Sequence, residues 1–186
     1  MIDWLGLHQQ YLMPGEMDVI ASLLRRVEAK TMLEIGCRDG RTARVLLKNV
    51  GSLERYIGVD VPMTYEPSLE HQRKEMVENP GRLAASDPRF ELMIRDRGSL
   101  DIRPNDLPIC DAVFIDGDHG EEAVESDSRL AAAVIRSGGV IIWHDASNGS
   151  VEVRRVLDRL ITKRGWPIQH VPQTWLAFCI TDEELA

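Results

Sequence analysis

Several things are missing from this 186-residue chain, and each absence closes off a class of function. No apolar run approaches the roughly 20 residues that a bilayer-spanning helix requires, so no membrane partner is expected. The start, Met1-Ile2-Asp3-Trp4-Leu5, lacks a basic stretch and a small-residue cleavage site. No secretion signal is expected, and the location expected is cytoplasmic. Cysteine is scarce: Cys37, Cys110 and Cys179 are odd in number, far apart and without a CxxC pair. They read as reduced, buried thiols rather than a disulfide frame or a zinc site. An excess of basic residues is also missing, with 22 Lys and Arg against 30 Asp and Glu and a formal net charge of −8. That argues against a nucleic-acid groove, which needs clustered cations. There is no internal repeat and no low-complexity segment. What remains is one domain spanning residues 1–186, long enough to bury a core. Residues 1–30 form its helical start and residues 31–186 the body.

Hydrophobic periodicity divides the body into alternating elements. Met17, Ile20, Leu23, Leu24 and Val27 form a helical stripe over residues 15–29. Residues 31–36 read as a strand, 41–47 as a helix, 55–60 as a second strand and 90–94 as a third. The stretch 63–81 between them is polar and flanked by prolines, with a helical centre over 69–77. Residues 111–116 form a fourth strand, apolar on both faces as in a buried parallel sheet. A helix over 121–135 is expected to end at Gly138-Gly139, before a fifth strand over 140–143. A further helix carries Val153, Val156, Leu157, Leu160 and Ile161, with Ser150 placed to cap it. The tail holds two strand-like runs, 166–171 and 174–180, whose tight Pro172-Gln173 link requires an antiparallel pair.

This order predicts an α/β fold: a Rossmann-like, doubly wound, mostly parallel seven-stranded sheet with an antiparallel C-terminal strand and helices on both faces. Glu34, Asp60, Asp96, Asp116 and His144-Asp145 then fall at strand ends along one edge, where such sheets bind ligands. A dinucleotide fingerprint anchored at Gly36 would need further glycines at 38 and 41, but both positions hold arginine. A side chain at 38 would obstruct the close backbone approach of a pyrophosphate, which disfavours NAD. The pattern present is Glu34-x-Gly36-x-x-x-Gly40.

That turn, with Asp60 ending the next strand, resembles the first motif of class I S-adenosylmethionine (SAM)-dependent methyltransferases. A second segment carries the likeness further: Phe114-Ile115-Asp116-Gly117-Asp118-His119, then Glu121-Glu122-Ala123-Val124, Asp127, and Gly138-Gly139-Val140-Ile141-Ile142-Trp143-His144-Asp145. It is similar to the subfamily that includes macrocin O-methyltransferase-like and cephalosporin hydroxylase-like proteins. The resemblance spans residues 31–145.

The resemblance implies SAM as cofactor, held by Glu34, Gly36, Cys37, Gly40, Asp60, Val61, Asp96, Arg97 and Asp116. In that reading Asp60 grips the ribose hydroxyls and Asp96 lies beside the adenine. It also implies a divalent ion, Mg²⁺ or Mn²⁺, on Asp116, His144 and Asp145. The chain departs from its relatives here, because His144 stands where they carry an acid. Mg²⁺ prefers oxygen ligands, whereas Mn²⁺ or Fe²⁺ tolerates imidazole.

Asp118, His119 and His144 are the candidates for the base that methyl transfer to a hydroxyl needs. Asp118 has a competing structural reading as the cap of the following helix. Asp127 falls on the apolar side of that helix and reads as a structural hydrogen-bonder. Trp143 stands beside the site as a candidate wall of the acceptor pocket. The function expected is O-methylation of a small-molecule or sugar hydroxyl. The alternatives are a metal-dependent hydroxylase-like enzyme on the same scaffold and a non-catalytic SAM-binding regulatory or assembly protein. The chain has little material for a lid. Residues 1–15 and 63–88, or the partner protomer of a homodimer, are expected to cover the pocket.

Overall fold

A computed structural model of the chain describes residues 2–181. Seven strands form one sheet in the order β3-β2-β1-β4-β5-β7-β6. These are β1 (Thr31–Ile35), β2 (Arg55–Asp60), β3 (Phe90–Ile94), β4 (Cys110–Ile115), β5 (Ile135–Trp143), β6 (Gln169–His170) and β7 (Ala177–Ile180). Strands β1 to β5 pair in parallel, and β7 runs antiparallel to both β5 and β6. The fold expected from the sequence is therefore the one adopted.

The alternation of side chains along each strand sends its residues to two separate cores. Met32, Tyr56, Ala112, Phe114, Val140 and Ile142 meet α1 (Glu16–Arg26) and α2 (Arg41–Asn49) on one face. Leu33, Ile35, Ile57, Val113, Ile115, Ile141 and Trp143 meet α3 (Glu121–Val134) and α4 (Val153–Arg164) on the other. The α1 stripe packs Met17, Ile20 and Leu24 completely against the sheet. Each such side chain stabilises the fold by about 1.5–3 kcal/mol.

Four details differ from expectation. Gly138-Gly139 does not close α3; the helix ends at Val134, and β5 begins at once with Ile135 opposite Cys110. The glycines lie within a bulge that restores register at Ala112 and Val140. At Gly139 a Cβ would stand 2.7 Å from Ile135 Cδ1 and 2.9 Å from the Asp111 carbonyl oxygen, so only glycine fits. Ser150 does not cap α4, whose N-cap is Glu152 with no side-chain bond. The middle segment forms only a short 3-10 turn, Glu70–Lys74. Trp143 walls no pocket; it is fully buried, its indole N–H bonded to Ser128 Oγ. The period-2 rule explains this, since Trp143 shares a face with Ile141, under α3 and α4. The three cysteines are buried thiols.

Strand order reverses between β1 and β4, and there the loops leaving the two strands touch. The Asp116 N–H donates to the Ile35 carbonyl at 2.8 Å. A Cβ on Gly36 would stand 2.2 Å from the Asp116 carbonyl oxygen, and Gly36 has φ 88°. Gly36→Ala is therefore expected to cost about 2 kcal/mol or more through backbone strain and collision. Urea denaturation measures it; a loss below about 0.5 kcal/mol would show that the two loops do not constrain one another.

Candidate active site

The main cleft opens at this reversal, as expected outside the carboxyl ends of a doubly wound sheet. Gly36, Arg38, Asp60, Val61, Arg97–Leu100, Asp116–Asp118, Ala123 and Asp127 line it from below. Tyr65, Pro67, Gln72, Glu75, Met76 and Val77 cover it from above.

Asp60 is held by the backbone: Oδ2 accepts the Arg38 N–H, and Oδ1 accepts the Val61 N–H at 2.8 Å. Arg38 turns back with φ 47°, which aims its N–H at that carboxylate. Burial raises the Asp60 pKa despite these donors. The Arg38 side chain reaches over the cleft; its guanidinium lies 4.3 Å from the Tyr11 ring centre and donates from Nε to the Glu75 carbonyl. Residues from both expected covering segments thus meet at Arg38, Met1 lying outside the described residues.

Other sequence candidates lie beside the cleft rather than on its wall. Glu34 is buried beneath the turn, accepting the Tyr56 hydroxyl at 2.9 Å, and burial pushes its carboxyl well up. Cys37 is buried with its Sγ toward Gly58, and its thiol is likewise raised by burial. Gly40 begins α2, with φ 80°, packed on the Gly81 backbone. Asp96 is exposed and does not line the cleft, whereas Arg97 does.

Asp118 does cross-chain work. Its Oδ2 accepts the Tyr65 hydroxyl at 2.8 Å and the Ser68 N–H at 2.7 Å, and its Oδ1 accepts the Gly120 N–H at 2.8 Å. Gln72 adds a second tie, donating to the Gly117 carbonyl and accepting the His119 N–H. Residues 62–77 are thereby strapped across the cleft.

Next to the strap sits a buried charge cluster. His144 Nδ1 lies 3.1 Å from Asp116 Oδ1 and 3.1 Å from Asp145 Oδ2, while Nε2 lies 3.0 Å from Glu16 Oε2. Glu16 also accepts the Met13 N–H at 2.7 Å and the Trp175 N–H at 2.6 Å. His119 is the fifth member, with Nδ1 3.3 Å from Asp145 Oδ2 and Nε2 3.5 Å from Asp116 Oδ1. Burial opposes charge on both histidines, but the surrounding carboxylates win and raise both pKa values. The histidines in turn hold the Asp116 and Asp145 carboxyls below their ordinary range against the same burial.

Sequence reasoning missed Glu16, which lies 128 positions from His144 and belongs to no motif. The one available signal was an acid at the first position of a helix whose neighbouring stripe is buried. It also passed over Tyr65, Gln72 and Ser99.

A family of methyltransferase domains matches residues 33–146, more than half of the chain. The chain belongs to that family. Its class I architecture recurs in solved structures. CalS11, a calicheamicin methyltransferase, superposes with a TM-score of 0.70 at 15% identity, over 90% of this chain and 79% of that one. Cofactor-bound Rv0187 from MTB gives 0.66 at 21%, over 96% and 84%. The O-methyltransferase TomG from Streptomyces achromogenes, in complex with SAM, gives 0.57 at 18%, over 91% and 81%. No curated protein matches the chain. Among the described residues, no helix is long and apolar enough to cross a membrane.

The donor set suits a divalent ion of the methyltransferase domain. Asp116, His144 and Asp145 each offer one atom, all within 4.8 Å of one another. Glu16 accepts at Nε2 and so leaves Nδ1 aimed at the two aspartates, the usual role of a carboxylate behind a metal-bound histidine. Without an ion, a proton on Nδ1 fills the same place.

The cluster makes stability depend on pH in a defined direction. A raised histidine contributes stability that is complete below its unfolded pKa of about 6.5 and declines as pH rises toward the folded value. The depressed aspartates contribute stability present above about pH 3.9 and lost as pH falls further. In chelator, unfolding free energy should therefore fall between pH 7 and 9, with a ceiling near 1.4 kcal/mol per pH unit for each proton held. His144→Gln should flatten that decline. Equal slopes in urea titrations of both proteins would show that His144 carries no extra proton.

Proposed function

We propose that the chain transfers the methyl group of SAM to a hydroxyl oxygen of a small molecule or sugar. The observation that carries this reading is the cleft itself. A backbone-pinned carboxylate, Asp60, stands at one side and a buried acid–histidine cluster at the other, within a methyltransferase domain. Asp60 accepts hydrogen bonds from the ribose hydroxyls. Its two oxygens are already fixed by the Arg38 and Val61 N–H groups, so little further ordering is needed when the ligand binds. Three structural neighbours named for O-methylation or sugar methylation support an oxygen acceptor: TomG, the Klebsiella pneumoniae O-methyltransferase and CalS11 as a TDP-rhamnose 3'-O-methyltransferase.

Of the three base candidates, His119 fits the task best. Asp118 is committed to three donors of the strap and turn. His144 is enclosed by three carboxylates and only 3% exposed. His119 Nε2 makes no tight hydrogen bond among the described residues, only a 3.5 Å contact with Asp116 Oδ1, while Asp145 orients the ring through Nδ1. The acceptor oxygen attacks the sulfonium methyl carbon in line, the C–S bond breaks to leave a thioether, and the hydroxyl proton passes to His119 Nε2. Positioning by Asp60, Asp116 and the strap supplies much of the rate. Asp116, His144 and Asp145 would hold a divalent ion, Mn²⁺ better than Mg²⁺, which when bound would acidify the acceptor hydroxyl.

Titration calorimetry with SAM, its demethylated product and NAD tests the cofactor. Binding of the first two and weakening by about tenfold or more in Asp60→Ala are expected; tighter binding of NAD would overturn the reading. Against an acceptor found by screening with labelled SAM, kcat/KM should rise with pH as His119 gives up its proton at its raised pKa. His119→Gln should remove that rise and cost roughly 100-fold or more. An unchanged profile would exclude His119 as base.

A further inference from the structure

On the side of the cleft opposite the strap, one buried carboxyl has no part in the chemistry above. Asp127 follows Ala123 by one helical turn on the inner face of α3, and both line the cleft. It is 3% exposed. Its Oδ1 is bonded to the hydroxyl of Ser99, itself 6% exposed, in the 3-10 turn Gly98–Asp101 that follows β3. Its Oδ2 lies toward the cleft's lip, 3.4 Å from where a Cβ on Gly117 would stand. Among the described residues, Oδ2 has no hydrogen-bond donor. Val61, Leu100 and Ala123 give the same cleft apolar walls. An unpaired acceptor beside apolar walls, in the same cleft as Asp60, suits a heterocycle that presents an N–H donor.

We propose that Asp127, oriented by Ser99, selects the adenine of the cofactor by accepting a hydrogen bond from its exocyclic amine at Oδ2. The assignment rests on the SAM reading above and deepens it. The exposed Asp96 is replaced in this role by a residue on α3. A purine with a carbonyl at the same position would set oxygen lone pairs against the carboxylate in a buried site, and its nearest donor, the ring N1–H, would stand one position away from Oδ2. Leaving such groups unpaired costs far more than losing a bond in water. Burial pushes the Asp127 carboxyl up to about 7, consistent with a site where an N–H donor completes the charged form's partners.

The test is calorimetry at pH 8, above the raised Asp127 value of about 7, with S-adenosylhomocysteine and S-inosylhomocysteine. The two ligands differ only in the base, where an amine beside an acceptor N1 becomes a carbonyl beside an N1–H. The wild type should prefer the adenine ligand by about 30-fold or more. Asp127→Asn, whose amide offers both donor and acceptor, should reduce the preference below about threefold. Ser99→Ala, which releases the carboxyl but leaves α3 intact, should reduce it severalfold, and its melting temperature checks the fold. If both variants weaken the two ligands equally, Asp127 is a packing residue and the proposal falls. A wild type that binds both ligands alike also overturns it. A wild type that binds neither overturns the SAM reading itself.

Discussion

The contact between the loops that leave β1 and β4 fixes everything else at this edge of the sheet. Parallel strands on either side of the reversal must send their chains in opposite directions, so the loops part and a cleft opens. Here the Asp116 amide bonds back to Ile35, and the Gly36 and Cys37 amides bond to Val59. Three successive strand ends are thereby tied into one ridge. With no side chain at Gly36, the Asp116 carbonyl lies directly over it. The Asp60 carboxylate is then held on the rim by backbone N–H groups, and the Asp116 carboxylate by the His144 and His119 side chains.

That geometry has an electrostatic cost, which the cluster beyond Asp116 offsets. Carboxylates brought out of water need partners, and the chain places one histidine between three of them. Removing one member of such a buried set is costly because the remainder stays uncompensated. The third carboxylate, Glu16, also accepts the N–H of Trp175, which precedes β7. One side chain therefore joins the first helix, the end of β5 and the approach to the antiparallel strand. The N-terminal helix is part of the site.

The sequence carried the fold because its signals are local and repeat. Every strand of the parallel set has a glycine or an acid at its end or within two residues after it, and period-2 alternation assigns the faces. That Asp60, Arg97, Asp116 and Asp118 line one cleft, with His119 in the adjoining charge cluster, follows from the same local pattern, since all stand at or just after strand ends. What escaped was non-local. Nothing near Glu16 indicates His144, and nothing near Tyr65 or Ser68 indicates Asp118. Trp143 was placed on the wrong side because its nearness in sequence to His144 suggested nearness in space, although adjacent strand residues point to opposite faces. The Gly138-Gly139 pair suggested a helix stop, yet the steric demand came from Asp111 on the neighbouring strand.

Asp118 shows how one motif can carry two meanings. Its position after β4 suggested a base or a helix cap; one oxygen does accept the N–H of Gly120 at the helix start, and the other reaches Tyr65 and Ser68. A carboxylate whose two oxygens already meet three donors has little room to approach a substrate hydroxyl. It is a good anchor for residues 62–77, a segment with only one short 3-10 turn of its own. The strap in turn brings Gln72 to the His119 backbone amide. The aspartate thus acts on the chemistry at one remove, by holding the cover that encloses the cleft beside His119. In the proposed reaction, this division of labour leaves His119 to take the proton.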